Sequence, residues 1–452
     1  MRRAPPAVAI VAVLALPATV LSGCSPAPVA PAPPAPTRAK VSATAKCPVP
    51  VAAPKATTPD IRFMPGSALR SGSARDAGLL PGPVAAIASD AARFMKLRRY
   101  PGAVTLAASD GVIASHQAMG YALRYTDDKP TELPRDQWIA MRRDTIFDIA
   151  SLSKLFTSVV AVQQLQRGTL SLNEPVASYL PEFGQRCKGH ITIRQLLTHT
   201  SGLRPDLPFY KHKTRAKRQA LLFSDRPQAT PGTAYIYSDL NLIALQFVLE
   251  KVTGRPLDAL VREGITRPLG MIDTGYRPAG SLRSRIAATE DQHVPPAKTD
   301  RGLVWGQVHD ESAWALGGVA GHAGVFSTAR DLAILAQMLL NGGRYGQTRV
   351  LSEDSVRLLF TDFNRKFPRH SHGLGFDLDQ RRYMDRLASP VTAGHTGYTG
   401  TSMVINPRAR AFVILLTNRV HPSRLWGGVN PARRAVAHDL ARAGAAREPR
   451  SG

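Results

Sequence analysis

Apolar positions recur at helical spacing from Val84 to Leu97, with Pro83 near the start, where a missing N–H does no harm. The period then changes. Ala103–Ala108 and Val112–His116 are strand-like runs around Asp110-Gly111, a pair suited to a tight turn, and they predict a β-hairpin. Helical spacing returns over Leu155–Leu165, Ile193–Leu197, Leu240–Val252, Leu257–Glu263 and Asp331–Leu340. Thr401–Asn406 and Ala411–Thr417 read as a second strand pair joined by Pro407-Arg408, and Ala432–Ala443 as a basic amphipathic helix. Strands at both ends with helices between predict an α+β fold. One antiparallel sheet is built from N- and C-terminal segments and flanked by helices, with a mainly helical region inserted in the middle. No internal repeat is visible.

The first residues follow a different logic. Arg2 and Arg3 precede an apolar run from Ala7 to Leu21 that is short for a membrane span and broken by Pro17. It reads as a secretory signal peptide covering residues 1–23. Leu21-Ser22-Gly23-Cys24 resembles the bacterial lipobox. That resemblance implies lipidation of Cys24 and an exported, membrane-anchored lipoprotein of the cell envelope. Residues 24–59 are rich in Pro and Ala, with no apolar periodicity, and read as an extended spacer. Cys47 and Cys187 remain; in an oxidising compartment they are expected to pair, the alternative being two unrelated thiols.

Charge narrows the partners. The 452 residues hold 58 Lys and Arg against 33 Asp and Glu, a formal charge of +25. The basic residues are scattered, without a Lys/Arg block, zinc-finger spacing or aromatic-basic interleaving, which argues against nucleic acid. An anionic phospholipid surface or cell-wall polymer suits them better. The densest stretch, Lys211 to Arg218, reads as a solvated loop face.

Candidate chemistry begins at Ser151-Leu152-Ser153-Lys154. With Ser151 in the first turn of the following helix, Lys154 lies one turn on along the same face. The helix N-terminus favours an anion beside Ser151, and burial would lower the Lys154 pKa and make it a base. Tyr237-Ser238-Asp239 comes next; a Tyr beside a Lys can exist partly as phenolate and shuttle a proton. Gly394-His395-Thr396-Gly397-Tyr398-Thr399-Gly400 then precedes the strand at 401, where glycines allow close approach of backbone to a substrate carbonyl.

Ser-x-x-Lys at 151–154, Tyr-Ser-Asp at 237–239 and His-Thr-Gly at 395–397, in this order, resemble the three motifs of the serine β-lactamase and penicillin-binding protein superfamily. The likeness is greatest to the branch with class C β-lactamases, D-alanyl carboxypeptidases and esterases, and covers a domain over about 80–445. Further likenesses are Gly168–Asn173 and Ile193–Leu203. The resemblance implies a β-lactamase/transpeptidase-like fold, Ser151 as nucleophile, Lys154 and Tyr237 as its proton partners, and the N–H groups of Ser151 and Tyr398 as the oxyanion site. Asp239, His395, Thr396 and Gly397 would face substrate. No cofactor and no metal is implied.

Two departures narrow the activity. The second motif usually ends in Asn, here Asp239; the third usually begins with Lys, here His395. A His need not be cationic at neutral pH, so a substrate carboxylate would be gripped less firmly and efficient β-lactamase activity is not expected. Gly306–Glu311, Gly317–Ser327 and Leu416–Pro422 resemble a subgroup of muropeptide amidases and weak D-alanyl carboxypeptidases, in which Tyr-Ser-Asp also occurs. The glycine-rich stretch lacks the Lys-Ser/Thr ending of a phosphate loop. His309, Asp310, Glu311 and His322 lack helical His-x-x-x-His spacing and read as structural or substrate-side groups rather than zinc ligands. The leading expectation is hydrolysis of amide bonds in peptidoglycan or muropeptides. A broad carboxylesterase and a catalytically weak cell-wall-binding protein are the alternatives.

Overall fold

The computed structural model describes residue 47 and residues 56–444. The leader expected at 1–23, Cys24 and most of the 24–59 spacer lie outside them. Eight strands form the main sheet. They are β1 (Arg70–Ser71), β2 (Gly102–Ser109), β3 (Val112–Leu123), β4 (Ile139–Ala140), β5 (Asp377–Leu378), β6 (Ala393–Thr396), β7 (Ser402–Asn406) and β8 (Ala411–Thr417). Their order is β1-β3-β2-β8-β7-β6-β5, with β4 on β3. β2 and β8 pair antiparallel from Ala103–Thr417 to Ser109–Ala411, so chain ends more than 300 residues apart meet at the sheet centre. The hairpin turn is at Asp110 and Gly111, both at positive φ.

β8 shows what sets the register. Phe412, Ile414 and Leu416 join a large core on one face, while Ala411, Val413 and Leu415 join a second core on the other. Burial of both faces explains a run with no polar alternate. Each large apolar side chain so buried contributes roughly 1.5–3 kcal/mol, and a one-residue slip would exchange the two faces.

Helix α1 (Pro81–Lys96) buries Val84, Ile87, Ala91 and Phe94 in the second core, where the last helix described also packs. The inserted region supplies α2 (Ser153–Gln166), α3 (Arg215–Ser224), α4 (Asp239–Thr253) and α5 (Ala329–Leu340); α6 (Asn430–Gly444) follows the sheet. α3 corrects the reading of the basic stretch as a loop. Thr214 caps it by accepting from the Lys217 amide at 3.2 Å, and Leu222 and Phe223 anchor it. Cys47 and Cys187 are joined by a disulfide, with Cα atoms 5.2 Å apart. Among the described residues no helix is long and apolar enough to cross a membrane.

Candidate active site

The site starts from a strained turn. Ala150 sits at φ 48°, a region a non-glycine residue enters at a cost. Asp148, fully buried, holds it there: one carboxylate oxygen accepts from the Ala150 amide at 2.8 Å, the other from the His309 amide at 2.7 Å. Ser151 follows in a short 3-10 turn leading into α2. Lys154 lies one turn on, fully buried. Its Nζ donates to Ser151 Oγ at 3.0 Å and to the His322 carbonyl at 3.2 Å, and ion-pairs with Asp239 Oδ1 at 2.8 Å.

Two sequence expectations change here. Burial does push the Lys154 ammonium down, but the Asp239 carboxylate and Tyr237 outweigh it and hold Lys154 above the ordinary lysine range. The unliganded site therefore carries an ammonium, not a ready base. Tyr237 is 37% exposed, yet its hydroxyl is buried close enough to Lys154 and Ser151 to feel both. Desolvation there outweighs the pull of Lys154, so the phenol is raised above its usual value and stays neutral rather than partly ionised. Beneath Tyr237 lies His199, with ring centroids 4.6 Å apart. Its Nδ1 meets the Ser238 amide at 3.1 Å and Asn241 at 3.0 Å, and burial keeps it neutral. The sequence placed His199 in a family-like stretch without giving it a role.

His395 and Thr396 of the third motif lie in a strand themselves, β6, rather than in a lead-in to the next. Its usual residues hide the periodicity, because glycine favours no strand. His395 is buried, donates from Nδ1 to the Thr396 carbonyl at 2.8 Å, and has its pKa lowered to about 4 by burial, so it is neutral at neutral pH. The loop beyond is tied to the nucleophile turn. Thr399 Oγ1 donates to the Asp148 carbonyl at 2.7 Å and Thr401 Oγ1 to the Ile149 carbonyl at 3.0 Å. Gly397 must be glycine: a Cβ would meet Thr401 Oγ1 at 2.1 Å and the Ile149 carbonyl oxygen at 2.5 Å. Neither the Ser151 nor the Tyr398 amide is used in the backbone hydrogen bonding of the described residues. Buried Arg433 of α6 donates to the Gly397 carbonyl at 2.6 Å and the Thr401 carbonyl at 2.9 Å.

Ser151, Tyr237, His395, Thr396, Gly397 and Tyr398 line a cavity of about 1130 Å³. His309 stacks behind Tyr398 at 5.6 Å and bonds Glu290 at 2.7 Å; Arg424 bridges Glu290 and Glu311, each at 2.6 Å. This fits a supporting, substrate-side place for His309 and Glu311. Asp239, Asp310 and His322 place ligand-type atoms within 4.8 Å of one another. Those atoms are already engaged, Asp239 by Lys154 at 2.8 Å and Asp310 by His322 at 2.9 Å.

A sheet closed by both chain ends, a helical insert and a Ser–Lys pair opening on a cavity define the class: a serine hydrolase. A model of the β-lactamase family matches residues 87–438. A protein of Salmonella agona (strain SL483) described as "Putative D-alanyl-D-alanine carboxypeptidase" is 35% identical over 367 residues, 74% of this chain and 82% of that one. Two solved structures share the fold. A penicillin-binding protein homolog from Caulobacter crescentus is 20% identical, covering 80% of this chain and 98% of its own, with a TM-score of 0.60. A family VIII carboxylesterase is 21% identical, covering 80% and 97%, also at 0.60. The chain belongs to the β-lactamase family.

Proposed function

We propose that this serine hydrolase cleaves amide bonds of peptidoglycan or muropeptides through an acyl-enzyme on Ser151. The observation that carries the reading is Lys154 Nζ at 3.0 Å from the Oγ of Ser151, which lines the cavity. Attack requires Lys154 in its amine form; Asp239 sets how much free energy that form costs. Ser151 Oγ then bonds the carbonyl carbon as its proton passes to Lys154. The oxyanion is met by the amides of Ser151 and Tyr398. Tyr237, whose hydroxyl lies beside both Ser151 and Lys154, relays the proton to the departing amine. Water repeats the steps in reverse to release the acid.

The carboxypeptidase description of the Salmonella relative supports the cell-wall reading. Neutral His395 and the likeness to a carboxylesterase support the second reading, a broad ester hydrolase. Defined muropeptides and short nitrophenyl esters assayed side by side separate the two; rapid ester turnover with muropeptides untouched would overturn the first. A fluorophosphonate or penicillin label present on the wild type and absent in Ser151→Ala is expected. No label from any acylating probe would favour a binding protein. The enzyme is further proposed to be exported and anchored through lipid on Cys24, at the end of the spacer. Palmitate incorporation lost in Cys24→Ala checks this; unchanged incorporation refutes it.

A further inference from the structure

We propose that the cavity beside Ser151 contains a subsite for a carboxylate of the substrate, with Arg369 and Arg381 as its cations. The inference rests on the acyl-enzyme reading and adds a substrate class to it: acyl or amine portions of an acidic peptide.

The wall of the cavity is strongly one-sided in charge. Five arginines line it against two aspartates, with no lysine and no glutamate. Most of these charges are committed. Asp377 is buried and paired with Arg382 at 2.9 Å. Arg419 donates to the Tyr398 carbonyl at 2.9 Å, and Arg433 to the Gly397 and Thr401 carbonyls. Arg369 and Arg381 are exposed, and among the described residues neither guanidinium enters a hydrogen bond or an ion pair. The other lining acid, Asp379, is exposed and enters no ion pair among the described residues.

The two free arginines are nevertheless held in place through their backbones. Arg369 adopts φ 67°, a conformation that costs a non-glycine residue about 1–3 kcal/mol. Gln380, the neighbour of Arg381, donates to the Arg369 carbonyl at 3.2 Å. His370 stacks on Tyr235 at 4.3 Å and 14°, fixing the other side of the Arg369 segment to the stretch that carries Tyr237. Both arginine segments thus belong to one frame, and it lines the same cavity as Ser151. A planar guanidinium fork suits a carboxylate in two-pronged contact. The position where a third-motif lysine would supply positive charge holds buried His395, bonded to its own backbone. The positive charge of this cavity stands on a different wall.

The test uses the full mature chain and a matched pair of substrates. One is a nitrophenyl ester whose acyl chain ends in a carboxylate, the glutarate half-ester; the other is its neutral methyl ester. Wild type is expected to favour the charged ester in kcat/KM by at least about tenfold, carried mainly in KM. In Arg369→Gln/Arg381→Gln the preference falls to near one, and the corresponding double lysine variant recovers part of it. Because the ratio is taken within each protein, a general loss of activity cancels. Raising salt from about 0.05 to about 0.5 M also shrinks the wild-type preference. A wild-type ratio near one, or an unchanged ratio in the double glutamine variant, overturns the subsite. If muropeptides are untouched while the preference appears and collapses as stated, the subsite stands and the cell-wall reading falls. If muropeptides are cleaved with no dependence on Arg369 and Arg381, the reverse holds.

Discussion

Replacing Asp239 by Asn tests how the Ser151–Lys154 pair is controlled. Asp239 Oδ1 lies 2.8 Å from Lys154 Nζ, and the lysine is fully buried while Asp239 is 27% exposed. Two unit charges at that separation attract by about 6 kcal/mol at an effective dielectric constant of about 20. Solvent reaching Asp239 screens part of this, and retaining a quarter to a half leaves about 1.5–3 kcal/mol, or about one to two pH units. The sign follows from the pair. Asp239 favours the ammonium, so its loss lowers the Lys154 pKa and enriches the amine that accepts the Ser151 proton. The rising limb of kcat/KM against pH, measured on a neutral nitrophenyl ester, should move to lower pH by about that amount. Nitrogen NMR titration of Lys154 reads the same shift independently of turnover.

Stability supplies a second readout of this substitution. The folded Lys154 pKa is raised, so the contribution of the pair is fully present below the unfolded lysine value and is lost as pH rises through the folded one. In Asp239→Asn the lysine can escape the penalty only by losing its proton. Its deficit in Tm relative to wild type should therefore hold from about pH 6 to about pH 9 and shrink only at more alkaline pH, as the lysine loses its proton. A limb that stays in place or moves alkaline, together with an unchanged Tm at neutral pH, refutes control of Lys154 by Asp239.

Arg433→Met should lower kcat about 10- to 100-fold with little change in KM, because the Gly397 carbonyl it grips at 2.6 Å shares a peptide unit with the Tyr398 N–H; Arg433→Lys recovers part. Steady-state ester kinetics check this, and a loss confined to KM refutes it. Gly397→Ala forces apart β6 and the Ile149 carbonyl, so active-site labelling and Tm should fall together, whereas normal labelling would show that the contact is dispensable. Reducing Cys47–Cys187 should cost about 2–5 kcal/mol in denaturant unfolding while leaving ester kcat/KM intact, since neither residue lines the cavity.

The parts of the fold that were legible in sequence are those where one period dominates. α1, the β2–β3 hairpin and the β7–β8 pair follow from spacing and turn residues. β6 was not legible as a strand, because Gly394 sits against the Met403 carbonyl, where a Cβ would come within 2.3 Å, and glycine carries no strand propensity. Ser151, Lys154, Tyr237 and Tyr398 could be placed by motif, but their protonation could not. That depends on a distance between Lys154 and a side chain 85 residues away. Arg433 was invisible for a similar reason. Both Arg433 and Arg434 fall in a segment read only as a basic amphipathic helix; Arg434 is exposed and reaches Asp385, while Arg433 is buried and donates to the Gly397 carbonyl.

These placements also explain why the two departures from the family motifs belong together. A lysine at 395 and an asparagine at 239 would put two ammonium groups near Ser151 without the carboxylate. Here Asp239 neutralises Lys154, and His395, which feels the Lys154 charge directly, stays uncharged. Changing either position alone breaks that balance. Asp239→Asn leaves a buried ammonium unpaired, and His395→Lys buries a second one beside the first. The positive charge given up at 395 reappears on the cavity wall at Arg369 and Arg381, where solvent bears the cost of desolvation and a substrate anion can still be met. The site has thus separated two tasks that one buried lysine would have combined: keeping the nucleophile's partner in order, and gripping an anion.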